Sequence, residues 1–380
     1  MRVYLDNAAT TPVAPEVADI MADCIRHDFG NPSSSHSFGR QSKGLIETSR
    51  RTIATHLNCL PKEIIFTSGG TEADNMAILC AIHDLKVERI ISSPIEHHAV
   101  SHTLEHHCKH HSIELVMVNL DSQGHVDMKH LEELLHDQKT TLVSLMHANN
   151  EIGTLLDIQH VAQLCRTHNA YFHSDTVQTM GHYPFDLKNL NIDFITCAAH
   201  KFHGPKGVGF LYINERIPFH AMIHGGAQER GLRGGTENLY GIVGLAKAMD
   251  LAYEDVNAHQ QHVQGLKSYF IEQLKEKLPE VNFHGDISPE HSLYTVLNVC
   301  FPPTEKSGVL LFTLDIRGVA CSGGSACSSG SNTGSHVLRG INADLSRPNA
   351  RFSFSRYTTQ AEIDYAIEQI MAIYATATVN

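Results

Sequence analysis

With 380 residues, 42% of them hydrophobic and 18% charged, the chain has the profile of a globular protein large enough for one big domain and a smaller one. Its formal charge of −12 and pI near 6.1 argue against a polyanion-binding surface, so nucleic acid is not expected as a direct partner. Nine cysteines, an odd number with no Cys-x-x-Cys pair, fit free thiols in a reducing compartment better than a disulfide framework.

The N-terminus, Met-Arg-Val-Tyr-Leu-Asp, has no apolar signal region, and no stretch approaches the ~18 apolar residues of a membrane span. A cytoplasmic location without membrane contact is therefore expected. Helices are predicted over Pro15–Asp28 and Gly39–Leu57, then a strand over Glu63–Thr67. That strand runs into Thr67-Ser68-Gly69-Gly70-Thr71-Glu72, where two glycines turn the chain and a helix over Thr71–Asp84 begins. Free N–H groups and the helix dipole suit a phosphate there, although an ordinary capped helix fits the same residues.

A strand over Arg89–Ser92 leads into Ile95-Glu96-His97-His98 and a helix over Val100–His110. His97 can stack on an aromatic cofactor and move protons near neutral pH. It can equally be one ordinary histidine among 28. The run His106-His107-Cys108-Lys109-His110-His111 reads as a solvated helix end, and no converging metal ligands are legible, so no metal is expected. Strands over Ile113–Val118 and Thr141–His147 follow, then a helix over Asp157–His168 and a strand over Tyr171–Ser174. Asp175, at the end of that strand, can hold a pyridine nitrogen in its protonated form, with Gln178 donating to a ring hydroxyl. An N-cap aspartate is the alternative.

The strand Asp193–Cys197 runs into Ala199-His200-Lys201-Phe202-His203-Gly204-Pro205. A Schiff-base lysine must be partly desolvated so that its amine can be neutral, and Lys201 beside a strand end has such a place. A solvated loop cation is the other reading. A strand over Val208–Ile213 and a helix over Glu237–Tyr253 complete this part. Strands separated by helix-length segments predict an α/β fold with a mostly parallel sheet covered on both faces. Ligands of such sheets gather beyond the carboxyl ends of the strands.

From about residue 258 the pattern changes to a helix over His259–Lys277, a strand over Leu293–Phe301, a helix over Gly308–Ile316, a Gly/Ser-rich loop over Ser322–Gly334, a strand over Ala350–Ser355 and a closing helix from Gln360. This predicts a large domain over 13–257 and a smaller α+β domain made of 1–12 and 258–380. The loop contains Cys321-Ser322-Gly323-Gly324-Ser325-Ala326-Cys327-Ser328-Ser329-Gly330. Small residues predict an exposed, mobile stretch, on which a cysteine can meet a substrate and then a partner.

The ordered set Gly-Gly-Thr-Glu, Glu-His, Asn-Asn-Glu-Ile-Gly, Asp-x-x-Gln, His-Lys and Gly-Ser-Ala-Cys resembles the cysteine desulfurases, in the class-V aminotransferase group of the fold-type-I pyridoxal-phosphate enzymes. The likeness runs from Tyr4-Leu5-Asp6-Asn7 to Ala350-Arg351-Phe352-Ser353, and the loop looks like that of the subgroup with a long cysteine loop. The resemblance implies a three-layer fold and conversion of L-cysteine to L-alanine, with the sulfur left as a persulfide on Cys327. The sulfur would then go to an acceptor protein, an iron–sulfur scaffold or a thiolation enzyme. It also implies that pyridoxal phosphate is carried by Lys201, stacked under His97, and held by Asp175 and Gln178 at its ring and by Gly70, Thr71 and His200 at its phosphate. Thr236 would reach the phosphate of a second subunit in a homodimer, Asn150 and Arg351 would grip the substrate carboxylate, and Asn31 would border the site. Selenocysteine cleavage, a transaminase and a non-catalytic sulfur relay are the other readings.

Two departures stand out. Ala198 occupies the place where the family usually has a phosphate-binding serine, so one contact worth ~0.5–3 kcal/mol is expected to be missing or replaced by Ser68 or water. The chain also ends at Asn380, where housekeeping members often carry a further tail for docking the scaffold.

Overall fold

The computed structural model describes residues 1–137, 139–304, 307–323 and 334–375. Its strands in chain order are β1 (Val3–Tyr4), β2 (Ile64–Thr67), β3 (Arg89–Ser92), β4 (Glu114–Met117), β5 (Thr141–Ser144), β6 (Tyr171–Asp175), β7 (Phe194–Ala198), β8 (Gly209–Ile213), β9 (Asn282–His284), β10 (Val296–Cys300), β11 (Val319–Ala320) and β12 (Asn349–Ser353). Its helices are α1 (Pro15–His27), α2 (Ser37–His56), α3 (Gly70–His83), α4 (His98–His111), α5 (Met128–Leu135), α6 (Ile158–Thr167), α7 (Leu239–Tyr253), α8 (Val256–Lys277), α9 (Leu310–Ile316), α10 (His336–Gly340) and α11 (Gln360–Ala375).

Seven strands form the central sheet in the order β2-β8-β7-β6-β5-β3-β4. β8 runs antiparallel to both of its neighbours, and the remaining pairs are parallel, as the alternation of strands and helices predicts. Parallel pairs need crossover connections, and these put helices on both faces. On one face α1, α2, α6 and α7 bury Val17, Ile53, Val161 and Leu245 against Phe172 and Ile195. On the other, α3 and α4 bury Met76, Ile78, Val100 and Leu104 against Ile65 and Phe194. The result is three layers. A separate antiparallel sheet, β12-β10-β9, is covered by α8 and α11 through Phe270, Phe352, Ile363 and Ile370.

The N-terminal segment links the two sheets. β1 pairs in parallel with β11, the Ser353 N–H donates to Leu5 O, and the Thr11 N–H donates to His200 O. This brings residues 8 and 9 to the carboxyl end of the large sheet.

The sequence expectation omits the short β1, β9, β11 and α10, and two further elements differ from it. The strand expected to reach His147 ends at Ser144: beyond it the Met146 N–H turns to the buried Glu96 carboxylate, 3.1 Å from each oxygen, while the Leu145 and His147 N–H groups still donate to His173 O and Asp175 O. The helix α5 went unread. It has eight residues, capped by Asp127 through the Lys129 and His130 N–H groups, and it buries only Leu131 and Leu135. Met128, Leu131, Leu134 and Leu135 are spaced as on one helix face, but eight residues are too short a stretch for that periodicity to stand out.

Candidate active site

β2, β6 and β7 run parallel within the central sheet, so their carboxyl ends open on the same side, and there lies a cavity of about 230 Å³. Gly70 and Thr71 reach it from the start of α3, Asp175 from the end of β6, and His200 and Lys201 from the turn after β7. His97 arrives from the loop after β3, Asn150 from the loop after β5, and Arg351 from β12 of the second sheet. Two sheets therefore contribute to one site, as expected of a ligand cleft at strand ends.

Lys201 Nζ donates to Ala8 O at 2.5 Å and Ala9 O at 3.0 Å, which holds the amine at the cavity wall. Asp175 is buried, and its Oδ1 accepts the Val177 N–H at 2.8 Å. Burial, reinforced by nearby Asp74, raises its carboxyl to about 7. A buried carboxyl that resists ionisation this way is satisfied by a cationic N–H partner. Gln178 Nε2 donates to Ala8 O at 3.1 Å. His97 caps α4, its Nδ1 accepting from the Ala99 N–H at 3.2 Å, so the ring proton sits on Nε2. Burial, with Lys201 adding to it, lowers His97 to about 4 and keeps the ring neutral. His200 Nδ1 lies 3.1 Å from Thr10 Oγ1, and it too is lowered to about 4, by burial and then by Lys201.

The start of α3 suits a phosphate. Its N-cap is Gly69, at φ 152°, a conformation L side chains rarely adopt, and among the described residues no side chain caps this end. A Cβ on Gly70 would come within 2.7 Å of Val177 Cγ2. An uncapped helix N-terminus, a buried carboxylate, a lysine and a neutral imidazole around one cavity make a donor set that fits pyridoxal phosphate. Ala198 also lines the cavity, whereas Ser68 does not and lies with Thr236 on a second cavity of about 110 Å³. Neither Thr236 nor Asn31 is among the residues lining the larger cavity, and both are exposed.

Arg351 is fully buried, with Nη1 donating to Asn150 O at 2.8 Å and Nη2 to Asp6 Oδ1 at 2.9 Å. Its backbone also pairs with Ser322, Arg351 N to Ser322 O at 2.6 Å and Ser322 N to Arg351 O at 3.2 Å. Cys327 lies outside the described residues. On the far side of its loop, Ser335 Oγ donates to Glu151 Oε2 at 2.5 Å, and His336 Nε2 sits 2.8 Å from Glu96 O. Both ends of the cysteine segment are thus tied to residues next to or within the cavity. Cys321, the other thiol of the loop motif and six residues before Cys327, is half-buried against the second core, and burial pushes its thiol up to about 12.

Sequence reasoning passed over Asp74, Ala8 and Ala9. Asp74 lies four residues after Gly70, hence on the same helix face, and that spacing was the available signal. The carbonyls of Ala8 and Ala9 leave no trace in residue type.

The buried titratable groups set an acid limit on the cofactor-free protein. Burial holds six histidines, His97, His147, His173, His182, His200 and His203, at about 4. Below the ordinary histidine range near ~6.5 the unfolded chain binds protons that the folded one refuses, so stability falls as pH drops toward 4. Asp74 and Asp175, raised to about 7, and Glu96, raised to about 8, act in the opposite sense, but they are three groups against six. The urea midpoint of cofactor-free protein is expected to be lower at pH 5 than at pH 7. A higher midpoint at pH 5 would refute this balance.

Residues 3–366 match the family model described as Aminotransferase class-V. A protein of Dictyoglomus turgidum named Cysteine desulfurase IscS is 42% identical over 375 residues, covering 98% of this chain and 94% of that protein. A solved structure described as a NifS-like protein superimposes with a TM-score of 0.91 at 36% identity, covering 99% of this chain and 100% of the other. A second, the NifS-like protein of Rickettsia africae, gives a TM-score of 0.87 at 32% identity, with coverage of 99% and 100%.

Proposed function

We infer that this chain, which belongs to the aminotransferase class-V family and within it to the cysteine desulfurases, converts L-cysteine to L-alanine and stores the sulfur as a persulfide on Cys327. The observation that carries this reading is the convergence of Lys201, Asp175, His97 and Arg351 on one cavity, with the Cys327 segment tied to its rim. The enzymes of this family depend on pyridoxal phosphate. Lys201 would hold it covalently, Asp175 and Gln178 its ring nitrogen and ring oxygen, Gly70, Thr71 and His200 its phosphate, and His97 would cover its face. When bound, it supplies an electron sink that lets the Cα proton of an amino acid leave.

The chain's residues do the rest. Asn150 and Arg351 receive the substrate carboxylate, the guanidinium being oriented in advance by Asn150 O and Asp6. Lys201 takes the Cα proton, positioned by its bonds to Ala8 and Ala9. His97, held neutral, lines the site without adding positive charge. Cys327 attacks the substrate sulfur as a thiolate while the substrate's Cβ–S bond breaks, its electron pair leaving with the carbon fragment that takes up a proton on the way to alanine, and the persulfide is handed to an acceptor protein for iron–sulfur cluster assembly. The exposed Thr236 supports a homodimer in which it reaches the phosphate bound by a second copy. A cytoplasmic location belongs to this reading, and among the described residues no helix is long and apolar enough to cross a membrane.

The test is an assay of purified protein with pyridoxal phosphate, L-cysteine and a reductant, following alanine and sulfide together. Equal amounts of both are expected. A keto acid without sulfide would replace this reading with a transaminase, and a much faster reaction with selenocysteine would reassign the substrate.

A further inference from the structure

Away from this cavity, two of the chain's 28 histidines converge with a carboxylate. Glu132 and His136 lie four residues apart and project from one face at the end of α5. His168 follows the last turn of α6. One ligand atom from each of the three lies within 4.8 Å of the other two, and the His136 and His168 rings meet edge-on with centroids 5.3 Å apart. Among the described residues no other group of three His, Cys, Asp or Glu donors converges this closely. Among the described residues the neighbouring ring pairs on α4, His106 with His110 and His107 with His111, recruit no third donor at that distance.

The surroundings favour a cation. His136 is the C-cap of α5 and His168 the C-cap of α6, so two helices direct their carbonyl ends, with their partial negative charge, at this spot. Two imidazoles and one carboxylate suit a borderline ion of the zinc type better than calcium or magnesium, which prefer all-oxygen sites. Glu132 and His136 are exposed and His168 is half-buried, so an ion needs no opening of the fold to enter. The three residues precede β5 and β6, which places them at the amino ends of the strands, across the sheet from the cavity.

We propose that Glu132, His136 and His168 form a zinc-type divalent metal site that staples α5 to α6, with its fourth position open to water. Such an ion binds the folded chain and not the unfolded one, so it raises the melting temperature by mass action. Turnover is not involved, because the site and the catalytic cavity lie at opposite strand ends.

The test uses full-length, cofactor-loaded protein stripped with a chelator and titrated with zinc chloride by calorimetry and thermal melting. Thiols elsewhere also bind zinc, so wild type is compared with His136→Ala and, from the other helix, His168→Ala, each checked for unchanged circular dichroism without metal. Each variant is expected to lose one equivalent of zinc and the associated melting-temperature gain. Affinity at that equivalent should fall by more than the roughly 10–100-fold that loss of a partner behind a ligand costs. A His107→Ala/His111→Ala control should keep both. Cobalt(II) at the same site should lack a thiolate charge-transfer band in wild type. Equal stoichiometry and equal melting gain in wild type and both single variants would overturn the proposal, as would loss of the equivalent in the α4 control.

Discussion

Lys201→Ala, purified in the presence of pyridoxal phosphate, is expected to show no visible band of lysine-bound cofactor and no formation of alanine from cysteine. Lys201 is the lysine among the cavity-lining residues, it follows directly on β7, and its amine is aimed by the carbonyls of Ala8 and Ala9. The substitution removes the attachment point and the proton acceptor together. Positioned proton transfer alone is worth about 10²–10⁴-fold in rate. Lys201→Arg separates charge from nucleophilicity, because arginine keeps the cation and can donate to the same carbonyls but is not deprotonated. It should fail as completely as alanine. Near wild-type turnover in either variant would refute the assignment. The melting temperature of cofactor-free protein should change little, since β7 and its neighbours keep their packing.

Cys327→Ala gives a different signature: the cofactor band persists and responds to cysteine, while sulfide release and persulfide loading fall to background. Cys321→Ser should retain most of the wild-type rate. The argument rests on the two thiols' environments. Cys321 packs into the second core, where burial first and Asp6 second push its thiol up to about 12, so almost none is thiolate near neutral pH. The segment carrying Cys327 is held at Ser322 by the backbone of Arg351 and at Ser335 by Glu151, next to the residues proposed to bind the substrate carboxylate. If Cys321→Ser abolishes turnover while Cys327→Ala spares it, the sulfur-carrying residue has been misassigned.

Much of the fold can be read from local pattern. The residues of β2, β3, β5, β7 and β8 are buried, and they appear in the sequence as short apolar runs, which is how strands covered on both faces read. Gly70, His200 and Lys201 each follow such a run and Asp175 ends β6, so their position at a carboxyl edge follows from chain order. The short helix α5 did not announce itself, and neither did the bidentate pair of Arg50 with Glu229, 2.8 Å at each contact, between residues 179 apart in sequence. That pair, with the Phe66 N–H on Glu229 Oε2, secures a turn in which Glu229 and Arg230 adopt positive φ.

By itself, then, the sequence determined the strand–helix order, the residues at the strand ends and the family resemblance, because these depend on neighbours a few positions apart. Only the tertiary structure decided that Arg351 meets Asn150 and Asp6, that Lys201 is held by Ala8 and Ala9, that Asp74 joins the cavity, that Cys321 packs half-buried against the second core, and that Glu132 and His136 face His168. Each of these depends on which distant segments the packing brings together. A backbone carbonyl or a buried thiol takes its chemistry from those neighbours and not from its residue type.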